Sequence, residues 1–136
     1  MLRSETKGRA RALQLLYAAE AHAQRVGDVL PGLARLTGPA PLILDFAERL
    51  ATGVQHDQPR LDRLLESATE HWKLDRLALV DRNILRMGAF ELSSPGVPAR
   101  VAIDEALWLA HRFGSAQSPG FINGVLDRVA RTLGRL

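Results

Sequence analysis

Residues 121–127 read Phe121-Ile-Asn-Gly-Val-Leu-Asp127, and they predict the opening turns of a C-terminal helix. Ser118 suits the N-cap of this helix, and Pro119 suits its first position because an N–H there would have no intrahelical partner. Apolar residues then recur at helical spacing, namely Ile122, Val125, Leu126, Val129 and Leu133. Gly124 interrupts the pattern at a cost of about 1 kcal/mol relative to alanine, which indicates that another backbone or a ligand approaches closely, and close helix packing is the preferred explanation.

Helical periodicity also dominates the rest of the 136-residue chain, and no segment is convincing as a strand. Six further helices are predicted between glycine and proline breakers: from Ser4 to about Gln24, near residues 29–36, over residues 42–56, from Pro59, over residues 75–93, and from Pro98 to Gly114. Seven short helices with short connections predict one compact all-α domain over residues 1–136.

Two of these helices have predicted faces that bear on function. The buried side of the fifth is formed by Leu77, Val80, Ile84 and Gly88, and the opposite side carries Arg82 and Arg86. The sixth helix buries Ile103, Ala106, Leu107 and Ala110. Trp108 then points away from the core beside Asp104 and Glu105, where it is either an interface anchor or half covered by a loop.

Composition and spacing argue against catalysis and against a membrane span. The chain has no cysteine, its four histidines lack metal-ligand spacing, and no apolar run approaches the roughly 20 residues that cross a bilayer. Asp104 and Glu105 are adjacent on a helix and diverge by about 100°, so they do not converge on a substrate. We therefore expect a cytoplasmic protein that is not an enzyme and that needs neither metal nor cofactor.

Basic residues concentrate at the two ends of the chain. In the first helix, one stripe carries Arg3, Lys7, Arg11 and Gln14 at spacings of four, four and three. Like charges four residues apart are mildly destabilising, and an anionic partner along the stripe would remove that penalty. Tyr17 borders the apolar face, whereas Arg9 projects toward it. The residues alone leave both a solvated face and a nucleic-acid site open.

Four segments together resemble the NusB transcription antitermination family. Residues 9–17 resemble the opening helix of that family, and residues 81–86 with Phe90-Glu-Leu92 resemble its fifth helix. Residues 97–106, Phe113-Gly114 and residues 121–127 resemble its last two helices. The similarity covers nearly the whole chain in the family's order and spacing, and residues 25–41 and 55–74 match least.

The resemblance implies about seven helices arranged as two small subdomains. It also implies binding of boxA-type single-stranded RNA from ribosomal RNA leaders, together with NusE, a small-subunit ribosomal protein, in the elongating RNA polymerase complex. By the same resemblance, the RNA-binding residues would be Arg3, Lys7, Arg9, Arg11, Gln14, Tyr17, Ser118 and Phe121. The NusE-binding residues would be Asp81, Arg82, Asp104, Glu105 and Trp108.

Three positions depart from the family pattern. Gly120 stands where lysine is frequent, Gln117 where aspartate is frequent, and Trp108 where a charged residue is more common, which adds a homodimer to the arrangements considered. Two other functions remain open: a detached NusB-like RNA-binding domain of a ribosomal RNA methyltransferase, and a helical protein–protein scaffold with no RNA role.

Overall fold

The computed structural model describes residues 2–69 and 72–136. Within them the chain forms seven α-helices and no strand, which confirms the predicted all-α fold. The helices are α1 (Ser4–Ala21), α2 (Val26–Thr37), α3 (Pro41–His56), α4 (Gln58–Ala68), α5 (Leu79–Leu92), α6 (Ala99–Phe113) and α7 (Ser118–Thr132), with a short 3₁₀ turn at Leu74–Arg76. The chain divides into two compact units, Met1–His56 and Asp57–Leu136.

The first unit is built on α1, which packs against α3 and α2. A Cβ atom added at Gly8 would lie 2.4 Å from Cδ1 of Phe46, so only glycine allows α3 to approach this closely. Helix α2 begins at Val26, three residues before the predicted start. The side-chain oxygen of Gln55 accepts the Val26 N–H at 3.0 Å, and its amide donates to the carbonyl of Gln24 at 3.2 Å. This bond from α3 satisfies an N–H at the helix start.

In the second unit, α5 lies at the centre and is buried on nearly every side. The predicted position of Arg86 opposite the core is wrong: its side chain is only 5% exposed. Its guanidinium donates from Nε to Oδ1 of Asp62 at 2.8 Å and from Nη2 to Oδ2 at 3.0 Å. The cause is α4, which covers this side of α5 and supplies the carboxylate that a buried arginine needs.

The close helix packing predicted at Gly124 is also wrong. A Cβ added at Gly124 would have no atom of the described residues within 4 Å, whereas one added at Gly88 of α5 would lie 2.6 Å from Cδ1 of Leu126. The tight crossing of α5 and α7 therefore depends on Gly88. In α6, Leu109 takes the core position that was predicted for Leu107, which is only half-buried.

The two glycines allow a matched test of this crossing. We expect Gly124→Ala to raise the free energy of unfolding by up to about 1 kcal/mol, because alanine favours the helix and has room. Gly88→Ala should lower it by about 1–3 kcal/mol, because the added methyl group overpacks the contact with Leu126. Urea denaturation measures both changes. Equal stabilisation by the two substitutions would contradict the assigned crossing.

Candidate nucleic-acid interface

The outer face of α1 carries the predicted cationic stripe. Arg3 and Lys7 are exposed, and within the described part of the chain their side chains make no ion pair or hydrogen bond. Arg11 donates from Nη1 to the side-chain oxygen of Gln14 at 2.9 Å, and both residues are half-buried. Tyr17 continues the row with 47% of its surface exposed. We name Arg3, Lys7, Arg11, Gln14 and Tyr17 the α1 stripe.

The contact between Arg11 and Gln14 prepares both side chains for a ligand. It uses one guanidinium N–H and one lone pair of the amide oxygen, so the other guanidinium N–H groups and the Gln14 NH₂ group keep their donors. Because this hydrogen bond already restricts the guanidinium, the side chain loses less conformational entropy when its planar group binds a phosphate. The arrangement thus places a guanidinium with spare donors beside an amide with a spare NH₂ group, which are groups able to contact a phosphate and a base edge.

Arg9 does not join the α1 stripe. It is 3% exposed, and its guanidinium carbon lies 5.5 Å from the centroid of the Phe46 ring in a cation–π contact. The cause is that Arg9 points to the side of α1 that α3 covers. Arg9 was predicted to contact RNA, but its buried side chain is not placed for that contact. The position of Arg9 suits the packing of α1 on α3 instead.

Ser118 and Asp81 were predicted on two different surfaces, and the structure brings them together. The Ser118 hydroxyl donates to Oδ1 of Asp81 at 2.7 Å and accepts the Ser115 N–H at 2.9 Å. Ser118 is 1% exposed and is the first residue of α7 rather than its N-cap, which is Gln117. The serine is thus not placed for direct RNA contact, and Asp81 helps to hold α7 on α5.

Phe121 remains at the surface beside an aromatic residue that the sequence reasoning missed. Its ring packs edge-to-face on Trp72, with centroids 5.7 Å apart and planes at 70°. Trp72 is 58% exposed and precedes the 3₁₀ turn. Since it lies outside any helix, no periodic pattern pointed to it. The available signal was an aromatic residue next to a lysine after the end of α4.

The basic C-terminal end is less available than its charge suggests. Arg128 donates to the carbonyl of Ala68 at 3.0 Å, and Arg131 pairs with Asp127 on its own helix at 2.9 Å. Arg135 donates to the carbonyls of Leu92, Ser94 and Val97. Arg128 and Arg135 thus link separate chain segments within the second unit, whereas Arg131 pairs within its own helix.

The predicted partner-binding residues occupy α5 and α6. Arg82 is half-buried and donates to the carbonyl of Asp75 at 3.2 Å. On α6, Asp104 is exposed and Glu105 is half-buried. The Trp108 ring packs edge-to-face on Phe113 with centroids 6.5 Å apart, and the Arg112 guanidinium carbon lies 5.8 Å from the centroid of that ring. An aromatic and cationic cluster thus occupies the second half of α6.

The described residues contain neither a metal-binding cluster nor a membrane-spanning helix. In residues 2–69 and 72–136, no group of three or more histidine, cysteine, aspartate and glutamate side chains is arranged to hold a metal ion. None of the helices in that part of the chain combines the length and the apolar character that a membrane crossing requires.

The α1 stripe places cations, an amide and an aromatic ring along one helix of a small all-α protein, and these are the groups with which RNA-binding proteins contact phosphates and unstacked bases. A sequence model of the NusB family matches residues 6–131. The chain belongs to the NusB family.

Individual relatives agree with this assignment. The transcription antitermination protein NusB of Sorangium cellulosum is 42% identical over 134 residues, which span 98% of this chain and 96% of that protein. The T. maritima NusB structure is 31% identical in sequence and superposes with a TM-score of 0.84. The match covers 96% of this chain and 93% of the T. maritima chain. A structure of antitermination factors NusB and NusE in complex with dsRNA has a TM-score of 0.83, covers 97% of this chain and 99% of its own, and at 21% identity shows the fold alone.

Ser118 provides a test of the link between α5 and α7. Ser118→Ala should lower the free energy of unfolding by about 1–3 kcal/mol, because it leaves the partly buried Asp81 carboxylate without its donor. Ser67→Ala is the matched control, because the Ser67 hydroxyl is exposed and, within the described part of the chain, donates only to the carbonyl of Leu64 on its own helix. It should change stability by less than about 0.5 kcal/mol. Equal effects in thermal or urea unfolding would contradict the structural role of Ser118.

Proposed function

We propose that this protein is a transcription antitermination factor that binds boxA-type single-stranded RNA together with NusE and joins the elongating RNA polymerase complex. The observation that carries the proposal is the α1 stripe, whose cations are exposed or oriented outward. The NusB relatives carry the antitermination name, and one structural neighbour holds NusE and dsRNA. A cytoplasmic location follows from the partners proposed.

The chemistry of the α1 stripe suits a single strand of RNA. Arg3 and Lys7 supply point charges for phosphates, and Arg11 supplies a planar fork for one phosphate oxygen pair. The Gln14 amide both donates and accepts, so it can pair with a base edge, and the exposed Tyr17 ring offers a face for stacking. Phe121 adds a second aromatic contact from α7, whereas Arg9 and Ser118 act through packing.

The cations of the stripe should control RNA affinity and its dependence on salt. For Lys7→Ala with Arg11→Ala we expect affinity for a boxA-type oligonucleotide to fall about tenfold to a hundredfold near 0.1 M salt. The slope of log K against log salt should shrink by about 1.4, because two contacts to single-stranded phosphates are lost. Fluorescence anisotropy of labelled RNA, with and without NusE, measures both quantities.

The matched control removes the same charge from other helices. Arg49 and Arg131 are exposed and each pairs with an aspartate four residues earlier on its own helix. Arg49→Ala with Arg131→Ala should therefore change affinity by less than about threefold, which is the effect of net charge without contact. If both double variants bind RNA like the parent protein, the α1 stripe is not the RNA site. An unlabelled duplex of the same sequence, added as competitor, tests the preference for single strands.

The proposed NusE surface lies on α5 and α6. Asp81→Lys is a poor test because it would also break the bond to Ser118. Asp104→Lys is better, since Asp104 is exposed, and we expect it to weaken NusE binding at least about tenfold by reversing a contact charge. Asp45→Lys on α3 is the control, because that carboxylate is exposed and, among the described residues, pairs only with Arg49. Calorimetry that finds unchanged affinity for Asp104→Lys removes this part of α6 from the interface.

The alternative functions predict other results. A helical scaffold would bind a protein partner and would not bind RNA, with or without NusE. A domain detached from a methyltransferase would bind structured ribosomal RNA without NusE. A homodimer would appear as doubled mass in light scattering of the protein alone, and Trp108→Ala would reduce it. The relatives matched over nearly their whole length are antitermination proteins, which favours the first function.

A further inference from the structure

Trp72 is held in place although most of its surface is exposed. The backbone N–H of Trp72 donates to the carbonyl of Thr69 at 2.9 Å, and the buried Thr69 hydroxyl lies 3.2 Å from the Trp72 carbonyl oxygen. On the other side, its ring packs edge-to-face on Phe121. A single exposed aromatic residue is ordinary, but one fixed by its backbone and by a second ring loses little entropy when a ligand stacks on it.

The segment that carries Trp72 is also tied to α7. Arg128 donates from Nη1 to the carbonyl of Ala68, which ends α4. Because Arg128 follows Phe121 by seven residues, the two side chains share one face of α7. Arg128 is exposed and uses one guanidinium nitrogen in this bond, so other N–H donors remain for an anion. Lys73, which is also exposed, follows Trp72 in the chain.

The surface beside Phe121 is left bare by two glycines. Gly120 precedes Phe121 and Gly124 follows it by three residues on the same face, and a Cβ added at either would meet no atom of residues 2–69 and 72–136 within 4 Å. Glycine is disfavoured inside a helix, and here packing does not require it. The two positions leave the aromatic pair approachable by a flat ligand, where larger side chains would cover it.

We propose that Trp72 and Phe121 form a stacking platform for one unpaired base of the bound RNA, with Arg128 and Lys73 contacting the flanking phosphates. The inference rests on the proposed RNA-binding function and extends it to residues outside α1. An exposed π-face, nearby cations and an uncovered approach are the elements by which proteins hold single-stranded nucleic acid. A base stacks on the exposed indole, while Phe121 supports the indole from its edge.

The test combines a substitution in the protein with a deletion in the RNA. Trp72→Ala should weaken binding of the boxA-type oligonucleotide about 5- to 100-fold, and Trp72→Phe should recover most of that loss because it keeps a π-face. Leu36→Ala, which removes another exposed apolar side chain, is the control and should bind like the parent. Urea unfolding of each variant confirms that the fold is kept.

Oligonucleotides with one abasic position each then locate the stacked base. One position should weaken binding to the parent protein and have no further effect on Trp72→Ala, which a merely structural role of Trp72 would not produce. A fluorescence measurement uses a Trp108→Phe background, in which Trp72 is the remaining tryptophan. The affinity of this variant is measured first, and the intact boxA-type oligonucleotide should then quench the fluorescence of Trp72.

These experiments distinguish failure of the stacking platform from failure of the proposed RNA-binding function. If RNA binds in a manner that depends on Lys7 and Arg11 while Trp72→Ala has parent affinity, the platform is overturned and the proposed function stands. If Trp72→Ala weakens NusE binding and leaves RNA affinity unchanged, the aromatic pair is a protein contact and the platform is again overturned. If the parent protein binds no RNA with or without NusE, both proposals fall.

Discussion

Each unit of this protein depends on one helix crossing that glycine alone permits. At Gly8 the contact with Phe46 sets α3 on α1, and at Gly88 the contact with Leu126 sets α7 on α5. Helices without a Cβ at the crossing approach more closely, so the packing around them has little freedom to shift. These two contacts constrain the side chains that pack around each crossing.

The exposed site is a consequence of the crossing at Gly8. The Phe46 ring that lies over Gly8 also receives the Arg9 guanidinium, and this arginine is thereby drawn into the interior. Arg3, Lys7 and Arg11 lie on the other side of α1, where no helix of the first unit covers them fully. The Phe46 ring thus packs on the buried arginine of α1, while the other cations of this helix lie on its exposed or half-buried side.

Local signals predicted the helices well, because caps and breakers act within a few residues. The ends of α3, α6 and α7 fall within one residue of the predicted ones where a boundary was given, and α5 differs because a 3₁₀ turn takes up residues 74–76 before it. The errors concern partners distant in sequence. Whether Gly88 or Gly124 marks the crossing, and whether Arg86 is buried, depends on which helix lies opposite, and periodicity along one helix does not contain that information.

The candidate site was predictable to a similar degree and for the same reason. Helical spacing alone placed Arg3, Lys7, Arg11 and Gln14 on one stripe, and the structure agrees. Ser118 and Asp81 were expected to bind different ligands because nothing local shows that they are hydrogen-bonded to each other. Trp72 was not predicted because it lies in the connection between α4 and the 3₁₀ turn. In such a segment the type of a residue is informative, whereas its spacing from other residues is not.

Arg135 gives the end of the chain an unusual importance. Its guanidinium donates to the carbonyls of Leu92, Ser94 and Val97. The first is the last carbonyl of α5, and the other two belong to the connection between α5 and α6. These oxygens lack partners within the helix, and a cation at a helix C-terminus stabilises them. One side chain thus ties the turn between α5 and α6 to a residue that follows it by 38 to 43 positions, so the geometry of that turn depends on the helix that precedes Arg135 as well as on its own residues.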